Sequence, residues 1–402
     1  MRYPYVIVGG GVAGASAVEG IRAHDREGPI LLVSQENHPP YRRPPLSKEL
    51  WLGKGTLAEL ALRDDGWWRE QGVDLQLRRE IVELDAAGHT LWDDRGVAIE
   101  FGKLLLATGG RPRILDVPGA TLEGVHYYRT LEDFLWFERN LHRFEHVLVV
   151  GAGFVGLELA AGLAHQDRRV TVIYPDEYPL RRVLPRDLGL FVADEYRRRG
   201  VEMISGERIV AFEDSRGALV ARAQSGHYAD AHLVVVGAGI VPQTDLADAA
   251  GLDTGNGIVV DEFGRTSHPD VFAAGDVAEY PAPALGRRTR TEHWDHAEHH
   301  GRAVGANMAG AERPYDHLPM FWSDLFDLGF EAVGDVDPRL TVEEAWNDLY
   351  RQGIVFYLED EVVRGALLWN RFGLVDWARD LIREGRPMSV EERAARVPKV
   401  EG

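Results

Sequence analysis

The chain has 402 residues, a length that suits two or three domains, and 45% of them are apolar, enough to bury large cores. It carries 64 acidic against 45 basic side chains, a net charge of -19 that disfavours general binding to nucleic acid or anionic lipid. Cysteine is absent, which excludes disulfides, thiolate nucleophiles, cysteine-held zinc or iron–sulfur clusters and redox dithiols.

In chain order, an apolar strand at 5–8 leads into Gly9, Gly10, Gly11 and Gly14. Ala17, Val18 and Ile21 then recur at helical spacing, and a second strand follows at 30–33. This is a βαβ unit. Residues 104–106 form a strand before Gly109 and Gly110. The pattern then repeats: a strand at 147–150, Gly151, Gly153 and Gly156, a helix through Leu163, and a strand at 170–173. The 147–164 stretch is apolar enough to be weighed as a lipid span, but it holds Glu158 and glycines, so it reads as strand, turn and helix. No secretory signal is visible, and a cytoplasmic location is the expectation. Strands at 233–236 and 271–274 run into Gly237 and Gly275-Asp276. An amphipathic helix covers 292–308. Strands at 354–358 and 362–368, joined by Glu359-Asp360-Glu361, precede a helix near 374–384, and the polar tail after Pro387 reads as frayed.

Gly9-x-Gly11-x-x-Gly14 and Gly151-x-Gly153-x-x-Gly156 each follow a strand and open a helix. The first glycine makes the tight turn, the second admits a pyrophosphate, and the third lets helix pack on strand. Unpaired N–H groups at the helix start face the phosphates. Two such fingerprints imply two dinucleotides, commonly a flavin and a nicotinamide. The acidic ribose partner belongs about 20 residues or more further on. Gln35-Glu36 stand there in the first unit and Asp176-Glu177 in the second. A carboxylate there repels a 2′-phosphate, so NADH is expected over NADPH, with Arg181 and Arg182 as counterweights.

Together with Ala107–Arg113, Val271–Asp276 and Arg43-Pro44-Pro45-Leu46-Ser47-Lys48, these fingerprints resemble the FAD-dependent ferredoxin reductases and pyridine nucleotide oxidoreductases. Met320–Leu325, Gly329–Gly334, Gly353–Leu358 and Leu368-Trp369-Asn370 are similar to the apoptosis-inducing-factor branch. The animal protein's leader and long acidic insertion before Gly353 are absent, which points to a compact, prokaryotic type of relative. A role in cell death is not carried over.

The resemblance implies an α/β fold: two doubly wound Rossmann-type domains and a C-terminal α+β domain. The FAD domain would be discontinuous, 1–115 and 244–320, around an NAD domain at 116–243, with the C-terminal domain at 321–402. Lys48 would pair with Glu158 beside the flavin. This agrees with residue chemistry, since a lone carboxylate in an apolar helix needs a cation. Asp276 would bind the ribityl chain, Arg43 and Arg113 the flavin, and Glu36 or Gln35 the adenosine ribose. Glu292, His293, Trp294 and Trp322 would line the redox site as aromatic or polar cover. Asp176 and Arg182 would contact NADH. The resemblance adds Val82, Phe154, Val155 and Gly239 to the cofactor-binding residues. The catalytic set is then Lys48, Glu158, His293, Trp294 and Trp322. His293, His296, His299 and His300, with Asp295 and Glu298, raise the question of a metal. The polar side of an amphipathic helix accounts for them, and no metal is assigned.

The leading functional expectation is an FAD enzyme passing hydride from NADH to flavin N5, slow in turnover and forming a charge-transfer complex. Its acceptor (quinone, oxygen, ferredoxin or another protein) is not named by the sequence. One alternative is a ferredoxin or Rieske-ferredoxin reductase of an oxygenase system, with Arg287-Arg288-Thr289-Arg290 as the basic docking patch. The other is a redox-sensing protein whose homodimerisation depends on NADH.

Overall fold

The computed structural model describes residues 2–215 and 218–399. It divides into two compact units. One comprises Met1–Pro44, Thr56–Arg111 and Ile240–Pro319; the other comprises Pro45–Gly55, Pro112–Gly239 and Met320–Gly402.

The first unit is built on a seven-stranded sheet. Its order is Val73–Gln76, Ile30–Val33, Arg2–Val8, Ala98–Leu106, Thr90–Asp93 and Ile81–Asp85, with Val271–Ala273 also paired to Ala98–Leu106. The central pairings are parallel, with Val6 opposite both Leu31 and Leu104. Val6, Ile7, Leu31, Leu32, Leu104 and Leu105 are all fully buried. Burial on both faces is why these strands read as continuous apolar runs rather than alternating ones. The helices Val12–His24 and Trp294–Met308 pack together backbone to backbone. A Cβ at Gly301 would lie 2.2 Å from the Ala13 carbonyl oxygen, and one at Gly305 2.1 Å from that of Ala17.

The second unit has a five-stranded parallel sheet. Its order is Glu202–Ile204, Arg169–Ile173, His146–Val150, Leu233–Val236 and Val125–Tyr127. Its C-terminal part is a five-stranded antiparallel sheet ordered Met320–Leu325, Leu328–Gly334, Val362–Trp369, Gln352–Glu359 and Thr341–Asp348. Glu359 pairs with Val362, so the hairpin turn is Asp360-Glu361. Both residues have positive φ, 50° and 62°, the backbone twist that suits a two-residue hairpin. The helix Val375–Arg383 covers this sheet. The α/β architecture with a C-terminal α+β part is thus present.

The tail after Pro387 is not frayed through the described residues: Val390–Arg396 is a helix whose N-cap Ser389 accepts from the Glu392 N–H. Arg393 is buried because its guanidinium meets Glu343 and the Met388 carbonyl, which a composition reading cannot foresee. The helix expected over 292–308 begins instead at Trp294, and His296 and His300 face inward and are fully buried rather than lying on a solvated side. Among the described residues, no helix is long and apolar enough to cross a membrane.

Candidate functional site

Each unit carries one fingerprint turn, and the two are built alike. A Cβ at Gly9 would lie 2.1 Å from the Ala107 carbonyl oxygen, and one at Gly14 would lie 2.2 Å from that of Gly9. At Gly151 and Gly156 the corresponding distances are 2.5 Å to Gly237 and 2.2 Å to Gly151. These positions exclude side chains because backbone fills the space. Gly11 and Gly153 differ: a Cβ at either meets nothing within 4 Å. Each is the N-cap of its helix, Val12–His24 or Phe154–His165, and neither has a side chain to cap the free N–H groups. An open cradle lined by unpaired N–H groups at a helix start fits a pyrophosphate, so both turns suit a dinucleotide.

In the first unit, Glu36 lies just beyond the strand Ile30–Val33. Its carboxylate accepts from Tyr41 Oη at 2.7 Å and pairs with Arg43. Gln35 is exposed. The structure therefore joins Glu36 to Arg43 directly, and Tyr41, a residue the sequence reading missed, bridges the same pair through its hydroxyl. Val82 is exposed on the strand Ile81–Asp85. Asp276 follows Gly275, and its carbonyl accepts from Arg290 at 3.0 Å. Arg290 also pairs with Glu292 at 2.6 Å, while Arg288 donates to the carbonyls of Val260 and Glu279. In the expected docking patch at 287–290, Arg288 and Arg290 thus also serve internal partners, while Arg287 and Arg288 stay exposed on the strand Arg287–Thr289, which pairs with Ala278–Ala282. His293 is the N-cap residue of the Trp294–Met308 helix, and burial pushes its imidazole down to about 4 despite the nearby Asp295 carboxylate. Trp294 is half-buried and donates from Nε1 to Glu298 at 3.2 Å.

In the second unit, Phe154 and Val155 open the fingerprint helix, with Val155 exposed. Gly239 has φ of +85° and open space around it, and its carbonyl accepts from the Arg113 N–H. Asp176 lies beyond the strand Arg169–Ile173, 3.4 Å from Arg181, while Glu177 pairs with Arg186 and Arg182 is exposed.

The most developed constellation is also in this unit. The segment Pro45–Gly55 is held by Tyr128 Oη and Trp51 Nε1, which both donate to the Leu46 carbonyl, and Trp51 packs against Gly162 of the Phe154–His165 helix. This presents Lys48 Nζ to Glu158 Oε1 at 2.6 Å, with side chains only 6% and 4% exposed. Ser47 Oγ donates to Glu158 Oε2 at 2.6 Å, and Ser323 Oγ to Oε1 at 2.7 Å. Ser323 comes from the strand Met320–Leu325. From that strand Asp324 also stands 3.4 Å from Lys48, and Lys48 lies 5.8 Å from the Trp322 ring. Burial pushes the Glu158 carboxyl above its ordinary range, against the pull of the Lys48 ammonium and both hydroxyls. The result is a dry, charge-paired lysine beside an aromatic face. Ser47, Ser323 and Asp324 stood in the two motifs, but no local signal gave them a role.

Residues 3–301 match the family model described as pyridine nucleotide-disulphide oxidoreductase. Residues 304–347 and 341–384 match the apoptosis-inducing factor, mitochondrion-associated, C-terminal model. The chain is 37% identical to the ferredoxin–NAD(+) reductase component of the anthranilate 1,2-dioxygenase system of Burkholderia cepacia, over 82% of each protein. It is 32% identical to apoptosis-inducing factor 1, mitochondrial, of Dictyostelium discoideum, over 96% of this chain and 79% of that one. The crystal structure of the ferredoxin reductase for the CYP199A2 system of Rhodopseudomonas palustris superposes with a TM-score of 0.91 at 32% identity, covering 96% of both chains. With two open dinucleotide cradles and no cysteine, the chain belongs to the pyridine nucleotide-disulphide oxidoreductase family as an FAD-dependent oxidoreductase, in the branch of the apoptosis-inducing-factor-like proteins and bacterial ferredoxin reductases.

Proposed function

We propose that the protein oxidises NADH in the manner of the apoptosis-inducing-factor branch, slowly and with a persistent charge-transfer complex. The Gly9–Gly14 cradle, with 1–115 and 244–320, takes FAD; the Gly151–Gly156 cradle, with 116–243, takes NADH. The Asp176 carboxylate favours a free ribose 2′-hydroxyl over a 2′-phosphate. When bound, FAD supplies the two-electron acceptor, N5, for hydride leaving nicotinamide C4. Lys48 supplies a fixed positive charge in a water-poor setting, where a charge acts more strongly than in water. Glu158, Ser47 and Ser323 hold that charge in position. Trp322 supplies a flat apolar wall that excludes water.

The observation that carries this reading is the insertion of Ser323 and Trp322 around the Lys48–Glu158 pair. Both belong to the segment matching the apoptosis-inducing-factor C-terminal model. A second reading, electron transfer to a ferredoxin-type carrier, is favoured by the 37% identical reductase component named for that activity.

The test is stoichiometric NADH added without oxygen, followed by air, with visible spectra recorded throughout. A broad long-wavelength band that lasts minutes in air is the expected result. Immediate reoxidation, accelerated by an added ferredoxin, would replace it with the second reading. Protein supplied with FAD that shows no flavin spectrum would remove both.

A further inference from the structure

While His296 and His300 of the Trp294–Met308 helix are buried, Asp295 and His299 lie one turn apart on another face and meet His317. His317 Nε2 lies 2.6 Å from Asp295 Oδ2. The His299 and His317 rings are face to face, 3.9 Å apart and within 7° of parallel. One ligand atom from each of the three residues falls within 4.8 Å of the others.

We propose that Asp295, His299 and His317 form a binding site for a borderline divalent cation of the Zn²⁺ class. Two imidazoles and a carboxylate are the donor set that such ions take, whereas Mg²⁺ and Ca²⁺ prefer oxygen alone. The cation would replace the proton shared by His317 Nε2 and Asp295 Oδ2. Those atoms need to separate only to about 3.3 Å to share a tetrahedral ion at bond lengths of about 2.0–2.2 Å. His299 Nδ1 lies 2.8 Å from the Asp295 main-chain carbonyl. That oxygen can only accept, so Nδ1 carries the proton and the ring's lone pair is on Nε2. A ligating histidine characteristically keeps its other nitrogen on such a carbonyl. The stacked rings must turn for both lone pairs to converge, and the His299 side chain, 40% exposed, has room to do so.

The segment that delivers His317 is pinned upstream. Asn307 brackets Arg313, donating to its carbonyl and accepting from its N–H, both at 2.9 Å. The Tyr315 N–H donates to the Glu262 carbonyl at 2.7 Å, and Tyr315 Oη lies 3.0 Å from His296 Nδ1. With the donors carried on a helix and on a pinned stretch of chain, only side-chain rotation is needed to complete the site. The other candidate cluster, His89, His268 and Asp270, is different. Lys103 already occupies the Asp270 carboxylate, and His268 Nδ1 accepts from the Asp270 N–H.

The test is calorimetric titration of tag-free, FAD-loaded protein with ZnCl₂, plus X-ray absorption at the zinc edge. One equivalent with a shell of two imidazoles and oxygen is expected. Asp295→Asn, His299→Ala and His317→Gln should each weaken binding by about tenfold or more, since even outer partners of a ligand matter by 10–100-fold. His268→Ala should leave it unchanged. His299 is partly exposed, so His299→Ala keeps the test valid if an inner variant misfolds. Absence of stoichiometric binding, an affinity indifferent to all three variants, or loss of binding in His268→Ala would each overturn the proposal.

Discussion

Glu158 lies in an otherwise apolar helix and accepts from Lys48, Ser47 and Ser323. A carboxylate so enclosed is tolerable only while its donors stay. Lys48→Met removes the cation and should cost about 3–5 kcal/mol of stability, as a buried charge left alone does. Ser323→Ala removes one donor to a charged group and should cost about 1.5–3 kcal/mol. The double variant Lys48→Met/Glu158→Leu should recover most of the Lys48→Met loss, because no buried charge remains. Urea unfolding of the three proteins tests this; a double variant as unstable as Lys48→Met alone would show that packing, not charge, governs the site.

At the scale of elements, Glu195 fastens the helix Arg186–Arg198 to the C-terminal sheet of the same unit. Its buried carboxylate accepts from Arg199 at 2.6 Å, from Arg351 at 2.8 Å and from Arg198. Burial alone would raise its pKa, but Arg199, Arg351 and Arg198 override this and hold it below the ordinary 4.5. A depressed folded-state value means that the stabilisation is complete above about 4.5 and is lost as pH falls through the depressed folded value. Glu195→Gln should therefore destabilise the protein by about 1.5–3 kcal/mol at neutral pH, the range for hydrogen bonds to a charged group. It should destabilise less at pH values below the ordinary carboxylate range, where the parent carboxylate is itself becoming protonated. Denaturant titrations at neutral pH and near pH 3–4 measure the difference. An equal loss at both would rule out the carboxylate charge as the cause.

For the whole molecule, the division of labour between two cradles can be tested without disturbing the fold. Gly11 and Gly153 have extended backbone, with φ of -88° and -83°, and open space where a side chain would go. Gly11→Val should fold, as judged by circular dichroism, yet lack bound flavin. Gly153→Val should retain flavin and bind NADH about tenfold more weakly or worse, a loss of about 1.4 kcal/mol or more. Flavin content and NADH titration separate the two; a Gly153→Val protein that loses flavin but binds NADH normally would reverse the assignment. Gly9→Ala is a poor probe, since its Cβ would collide with the Ala107 carbonyl oxygen at a φ of +127°.

What the sequence by itself determined was local. Strand, glycine turn and helix lie within about 30 residues, so the apolar runs and glycine spacing reveal both cradles directly. The Lys48–Glu158 pair spans 110 positions and the Ser323–Glu158 contact 165. The family resemblance implies the first, in agreement with the need of a buried carboxylate for a cation, and nothing in the sequence implies the second. Tertiary structure decided which face of the Trp294–Met308 helix is solvated. Composition makes its histidines look polar, but packing against Tyr280 and Tyr315 buries His296 and His300. Asp295 and His299 are left to meet His317, and burial inside the fold is a property of the neighbours a residue finds rather than of the residue itself.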